Sequence, residues 1–123
     1  MAITHVQLLS IPVTDQDKAK AFYIDVLGFR LVRENHMGPA QRWVQVAPQG
    51  GQTSVTLVTW FETMPPGSLK GLVLETDDVD GDAAAIAERG GEVSEISDMP
   101  WGRYFTVHDP DGNGIVIQRT TMA

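Results

Sequence analysis

The apolar and polar positions of this chain fall into one order, stated twice. Residues 3–11 (ITHVQLLSI) are rich in apolar and β-branched side chains and run into Pro12, which predicts a strand with a stop. A helix is expected next. Thr14 or Asp15 can cap it, and Asp15 and Asp17 suit the positive end of its dipole. Ala19, Phe22, Tyr23, Val26 and Leu27 recur at helical spacing, and Gly28 ends the run. FRLVRE (29–34) alternates as a strand, and NHMGPAQ (35–41) reads as a polar loop. WVQVA (43–47) and SVTLVTWF (54–61) predict a hairpin around residues 48–52.

After the Pro/Gly-containing stretch ETMPPGS (62–68), the order recurs. LVLET (72–76) is a strand. A helix capped by Asp78 or Asp80 carries Ala83, Ala84, Ile86 and Ala87 and ends at Gly90 and Gly91. EVSEIS (92–97) predicts a strand, DMPWG (98–102) a loop, and RYFTVH (103–108) with GIVIQR (114–119) a hairpin around DPDGN (109–113). RWVQVAPQGG (42–51) and RYFTVHDPDG (103–112) are the clearest pair of copies. Setting Val13 against Val79 gives an offset of 66, which places His5 opposite Gly71. The expected class is α+β: two βαβββ modules within a single domain of residues 1–123, about 1–61 and 69–123, with 62–68 as the linker.

Composition narrows the partners. A net charge of −7, with nine scattered Lys and Arg, argues against nucleic acid and anionic membrane. No apolar run approaches the ~20 residues that span a bilayer. The absence of cysteine removes disulfides, thiolate metal sites and a Cys nucleophile. Met1 leads into a strand-like segment without a basic n-region, so a cytoplasmic location is expected.

Two stretches carry a family likeness. VTDQDKAKAFYIDVLGFRLVRE (13–34), with its FYxxxLGF core at 22–29, and WGRYFTVHDPDGNGIVIQ (101–118), with its DPDGN turn, resemble the vicinal oxygen chelate superfamily over nearly the whole chain. That group includes glyoxalase I, extradiol dioxygenases, methylmalonyl-CoA epimerase and the fosfomycin- and bleomycin-resistance proteins. The resemblance implies curved mixed sheets that form a concave cleft, with helices on the convex face, and a homodimer. It also implies a place for metal ligands, two His with one or two Glu on four strands. His5 falls at the first, Leu57 at the second, Gly71 at the third and Val116 at the fourth. One imidazole does not hold a divalent ion where structural sites use about four ligands and catalytic ones about three. No metal and no cofactor is therefore expected.

Strand alternation then gives the pocket walls. His5, Gln7, Trp43, Gln45, Leu57, Glu75, Trp101, Tyr104, Val116 and Gln118 are the candidate ligand-binding residues. Each has a plainer alternative. His5 is a relic with a satisfied hydrogen bond, a ligand contact or a catalytic group. Trp43 and Tyr104 line a cavity or pack the sheet. Glu75 is a general base with a raised pKa, or an exposed strand-end carboxylate. Asp109 and Asp111 belong to the turn that closes the last hairpin.

The leading expectation is a metal-free protein that binds a small aromatic or amphipathic molecule, as in drug or metabolite sequestration. The alternatives are a metal-dependent lyase or dioxygenase of the glyoxalase type using His5, an isomerase using Glu75 as base, and a structural or regulatory dimer with a vestigial pocket.

Overall fold

The computed structural model describes residues 1–39 and 41–121. Eight strands and two short helices follow the doubled order: β1 (Leu8–Pro12), α1 (Gln16–Ala21), β2 (Arg30–His36), β3 (Arg42–Ala47), β4 (Ser54–Val58), β5 (Leu72–Glu75), α2 (Val79–Glu88), β6 (Ser97–Met99), β7 (Gly102–His108) and β8 (Gly114–Thr120). They form two four-stranded mixed sheets, ordered β1-β4-β3-β2 and β5-β8-β7-β6. In each, the first and last strands of the module pair in parallel, and the other neighbours are antiparallel. The α+β class and the two-module plan are thus as the sequence predicts. Residues 62–68 hold only turns.

Asp15, rather than Thr14, caps α1, its carboxylate accepting from the Asp17 and Lys18 N–H groups. Asp78, rather than Asp80, caps α2. Past Ala21 the first helix widens over Phe22–Val26, and the Leu27 N–H bonds the Phe22 carbonyl at 3.1 Å. The wider turn buries Phe22 and Tyr23 side by side, their rings edge to face at 5.2 Å. Gly28, at φ +76°, then turns the chain into β2.

Several boundaries differ from expectation, and β4 stops at Val58, short of the expected Phe61. β1 begins at Leu8, and residues 1–7 are exposed ahead of it. It also includes Pro12, which an edge strand tolerates because the missing N–H need not face a neighbour. β2 runs on to His36, since Asn35 and His36 still find partners in Trp43 and Arg42; Ala40 of the expected loop lies outside the described residues. The largest change is β6. Of 92–97, Val93 makes an isolated bridge to Val107, and the strand proper is Ser97–Met99, which starts at the last residue of the expected strand and runs into the expected loop. Pro100 and Trp101 form the turn of a tight hairpin, and a side chain at Gly102 would stand 2.6 Å from the Arg119 carbonyl.

One apolar core joins both modules. It takes Ile11, Val44, Val46, Val55 and Leu57 from the first sheet, Phe105, Val107, Ile115 and Ile117 from the second, and Tyr23, Val79 and Ile86 from the helical segments. Polar clasps cross the same seam. Asn113 Nδ2 donates to the Pro12 carbonyl at 2.8 Å, and the Thr14 N–H to Asp111 Oδ1 at 3.1 Å. Asp109 and Asp111 therefore do more than close their hairpin.

The repeat offset needs correction. The caps Asp15 and Asp78 stand 63 residues apart (78 − 15). The rung Ser10–Thr56–Gln45 corresponds to Val73–Val116–Thr106, and its first members are also 63 apart (73 − 10). His5 therefore stands opposite Ser68, and Gly71 opposite Leu8. The value of 66 came from aligning Val13 with Val79, which sit on opposite sides of their helix caps.

Candidate functional site

Register sorts each sheet into a core face and an outward face. In the second sheet the core face is Leu72, Leu74, Phe105, Val107, Ile115 and Ile117. Val73, Glu75, Tyr104, Thr106, Val116 and Gln118 point the other way, as alternation predicts. In the first sheet Trp43 and Gln45 keep their expected outward side, but β1 and β4 do not follow. Val55 and Leu57 belong to the core, Leu57 with 0% of its surface exposed. The outward positions are Ser10, Ser54 and Thr56, which share rungs or alternate with Gln45. The small polar residues of SVTLV were the available signal, and the choice of helix cap would have fixed the parity.

The outward face of the first sheet is hydrogen-bonded throughout. Trp43 Nε1 donates to Gln45 Oε1 at 3.0 Å, and Gln45 Nε2 donates to Ser54 Oγ at 2.6 Å. Ser54 Oγ donates to the Gln7 carbonyl at 3.3 Å, and the Ser10 and Thr56 hydroxyls lie 3.0 Å apart. These bonds hold the Gln45 amide in one orientation and explain how Gln45, Ser54 and Thr56 stay buried without loss. Beside them, the Arg33 guanidinium sits over the Trp43 ring at 5.2 Å from its centroid. Arg33 escapes a search for alternating walls because it comes from the edge strand β2.

The second sheet offers an aromatic surface. Trp101, in the β6–β7 turn, stacks on Tyr104 with centroids 5.2 Å apart and planes 24° from parallel. The indole remains 36% exposed, so its outer face is open. At the other edge, Thr120 donates its N–H to Glu75 Oε2 at 2.8 Å and its hydroxyl to Glu75 Oε1 at 2.7 Å. Gln118 Nε2 donates to Thr120 Oγ1 at 2.9 Å. Those bonds from the Thr120 backbone and hydroxyl hold the Glu75 carboxyl below the usual carboxylate range. Of the two readings of Glu75, the exposed strand-end carboxylate fits and the raised pKa does not, since both its oxygens have donors.

His5 and Gln7 precede β1 and are exposed. The His5 ring nitrogen Nδ1 lies 2.8 Å from the Thr4 hydroxyl. His5 is not brought together with Glu75 in any metal-ligating cluster, and among the described residues no three His, Cys, Asp or Glu side chains are placed to hold an ion. With the corrected offset, the positions related by the repeat are Leu8 at the start of β1 and Gly71 just before β5, and Thr56 and Val116 in the last strands. Two aliphatic side chains, a glycine and a hydroxyl are not the nitrogen and carboxylate donors that the superfamily's divalent metals use, and the residues do not fit the ion.

A separate cleft of about 670 Å³ lies between the modules. Its walls come from the end of the first helical segment, the β3–β4 turn, β5 and α2. Glu75 of the candidate set lines it, with Val73 beside it; Trp43, Trp101, Tyr104, Val116 and Gln118 do not. No helix among the described residues is long and apolar enough to cross a membrane.

The family model for the Glyoxalase/Bleomycin resistance protein/Dioxygenase superfamily matches residues 2–117. The fold is similar to the crystal structure of TnmS3, an antibiotic binding protein from Streptomyces sp. CB03234, with a TM-score of 0.94 and 54% identity over 98% of this chain and 99% of that one. A glyoxalase/bleomycin resistance protein from the same organism gives a TM-score of 0.86 and 51% identity, covering 94% of this chain and 100% of the other. YetH of Bacillus subtilis (strain 168), an uncharacterised protein, is 32% identical over 94% of this chain and 98% of its own length.

Proposed function

The chain belongs to the glyoxalase/bleomycin resistance protein/dioxygenase superfamily, and we propose that it is a binding member, one that captures a small aromatic or amphipathic molecule without changing it. The observation that carries this reading is the Trp101–Tyr104 stack, two aromatic rings 24° from parallel with one face open. Ring faces of this kind gain from stacking on a planar ligand and from a cationic charge over them. A net charge of −7 favours cationic ligands further. Trp43 and the fixed Gln45 amide supply a second aromatic wall and an oriented polar contact. The antibiotic-binding description of TnmS3, at 54% identity, supports sequestration over turnover.

The outward faces of the two sheets act as the concave walls, and a homodimer brings them together. β1 is an edge strand and Leu9 on it is exposed, so that edge is suited to a partner. Catalysis by Glu75 is disfavoured because its carboxylate is already committed to Thr120.

Intrinsic tryptophan fluorescence tests the proposal. Titration with a planar aromatic cation such as proflavine is expected to quench saturably. Trp101→Ala should weaken that binding by roughly tenfold, the size of a lost aromatic contact of about 1–1.5 kcal/mol. The ligand should be recovered chemically intact. A flat response across planar aromatics would favour a vestigial pocket, and a released product would favour an enzyme.

A further inference from the structure

We propose that the cleft between the modules is a second small-molecule site, distinct from the outward faces, and that it takes an organic cation with an apolar body. Its volume of about 670 Å³ falls within the ~300–1,000 Å³ of small-molecule pockets. Phe29, Val55, Ile86 and Ile117 line it, each a core residue that is 5% exposed or less. The apolar wall is thus continuous with the hydrophobic core, and an occupant would rest against ordered side chains.

The rim gives the sign of the charge. Glu75, Asp77 and Asp82 border the cleft, with Arg89 as the opposing cation. Glu75 and Asp82 already accept hydroxyl hydrogen bonds, from Thr120 and Thr76. Asp77 has no hydrogen-bonding partner among the described residues, and it is exposed at the mouth. The Arg89 guanidinium turns to the Val26 carbonyl at 3.3 Å. The amino end of α2, which would attract an anion, is already capped by Asp78. An apolar floor beneath a net negative rim selects a hydrophobic cation over an anion of the same shape.

The two sites meet at the edge strand β5, whose Val73 and Glu75 stand on the outward side of the sheet and also border the cleft. Leu72 and Leu74 face the cleft core while Tyr104 and Val116 share the outward side with Val73. The two can still be probed apart, because among the described residues no tryptophan lines the cleft and Tyr104 does not touch it.

The test uses tetraphenylphosphonium and tetraphenylborate, ions of the same shape and opposite charge, with the full-length chain. Calorimetry is expected to show saturable phosphonium binding and at least tenfold weaker borate binding. Backbone amide shifts in ¹H–¹⁵N NMR should cluster at Phe29, Val55, Leu74 and Ala85. Ala85→Phe, on the cleft side of α2, should abolish phosphonium binding while leaving proflavine quenching unchanged. Asp77→Asn, at an exposed position, should weaken it about threefold or more. Equal binding of the two ions, shifts confined to the surroundings of Trp43 and Trp101, or unaltered binding in Ala85→Phe would each overturn the proposal. A changed oligomeric state in Ala85→Phe would do so too, because the cleft would then be covered by a second copy.

Discussion

Tyr23 donates its phenolic hydrogen to Asp109 Oδ2 at 2.9 Å, across 86 positions of the chain and across the seam between the modules. Both residues are buried. Asp109 also accepts from the Asp111 and Asn113 N–H groups and from Asn113 Nδ2. One carboxylate thus shapes the DPDGN turn and ties it to the first module's helical segment. Tyr23→Phe removes one of four donors and should cost about 1.5–3 kcal/mol, the range for a hydrogen bond to a charged group. A lower urea midpoint with an unchanged slope would show it.

The same pair predicts an alkaline limb. Burial, then the Asp109 charge and hydrogen bond, push the Tyr23 phenol far above its ordinary value. The unfolded chain loses that proton near pH ~10 while the folded one keeps it, so stability falls as pH rises past ~10. The fall should be shallower in Tyr23→Phe, as measured by denaturation at pH 9 to 11.5. Parallel curves for the two proteins would contradict it.

Gly67→Ala should destabilise the connection between the modules. Gly67 has φ +84°, and a Cβ there would stand 2.3 Å from the Asp111 carbonyl oxygen. Both the left-handed backbone and the rigid neighbour oppose a side chain, so a loss of more than about 1 kcal/mol is expected in thermal unfolding. An unchanged melting temperature would mean that the linker moves off the DPDGN turn at little cost.

Glu34 lies between Lys20 Nζ at 2.7 Å and the Arg42 guanidinium, which also reaches Asp17 at 2.8 Å. The Lys20 and Arg42 hydrogen bonds hold its carboxyl below the usual range. A depressed folded value means the stabilisation is present above the unfolded pKa of about 4.3 and is lost as pH falls through the folded one. Glu34→Gln should therefore cost up to about 1 kcal/mol at neutral pH, discounted for its partial exposure. The two proteins should converge in acid. A difference that persists at pH 2 would assign the effect to packing instead.

Glu75→Gln separates binding from proton transfer. With its carboxyl held down by the Thr120 N–H and hydroxyl, Glu75 stays ionised through neutral pH. Affinity for a neutral aromatic ligand should be flat between pH 5.5 and 8 and unchanged by the substitution. An inflection near pH 6 that disappears in Glu75→Gln would restore Glu75 as a proton carrier.

Much of the plan is legible in the residue order. The doubled βαβββ succession, the two hairpins, the helix-ending glycines and the outward side of β3, β5, β7 and β8 follow from periodicity and turn chemistry, which act within a few residues. The Trp101–Tyr104 stack is half legible: both residues stand out as candidates, but their contact depends on the Met99–Gly102 hairpin, which the sequence does not announce.

What the sequence alone determined is the alternation within each strand and the identity of the apolar set. Which of two alternating sets faces the core in β1 and β4 was decided by tertiary structure. LLSIP carries apolar residues on both parities, and in SVTLV the alternation of Ser54 and Thr56 with Val55 and Leu57 is interrupted by Val58, so the local pattern points to a register without fixing it. Pairing with β3, whose Val44 and Val46 must meet the shared core, fixes the register, and it sends Leu57 inward and Ser54 and Thr56 outward. The fate of Glu75 has the same cause: only the parallel pairing of β5 with β8 brings Thr120 within reach of its carboxylate, and no local pattern encodes a partner 45 residues away.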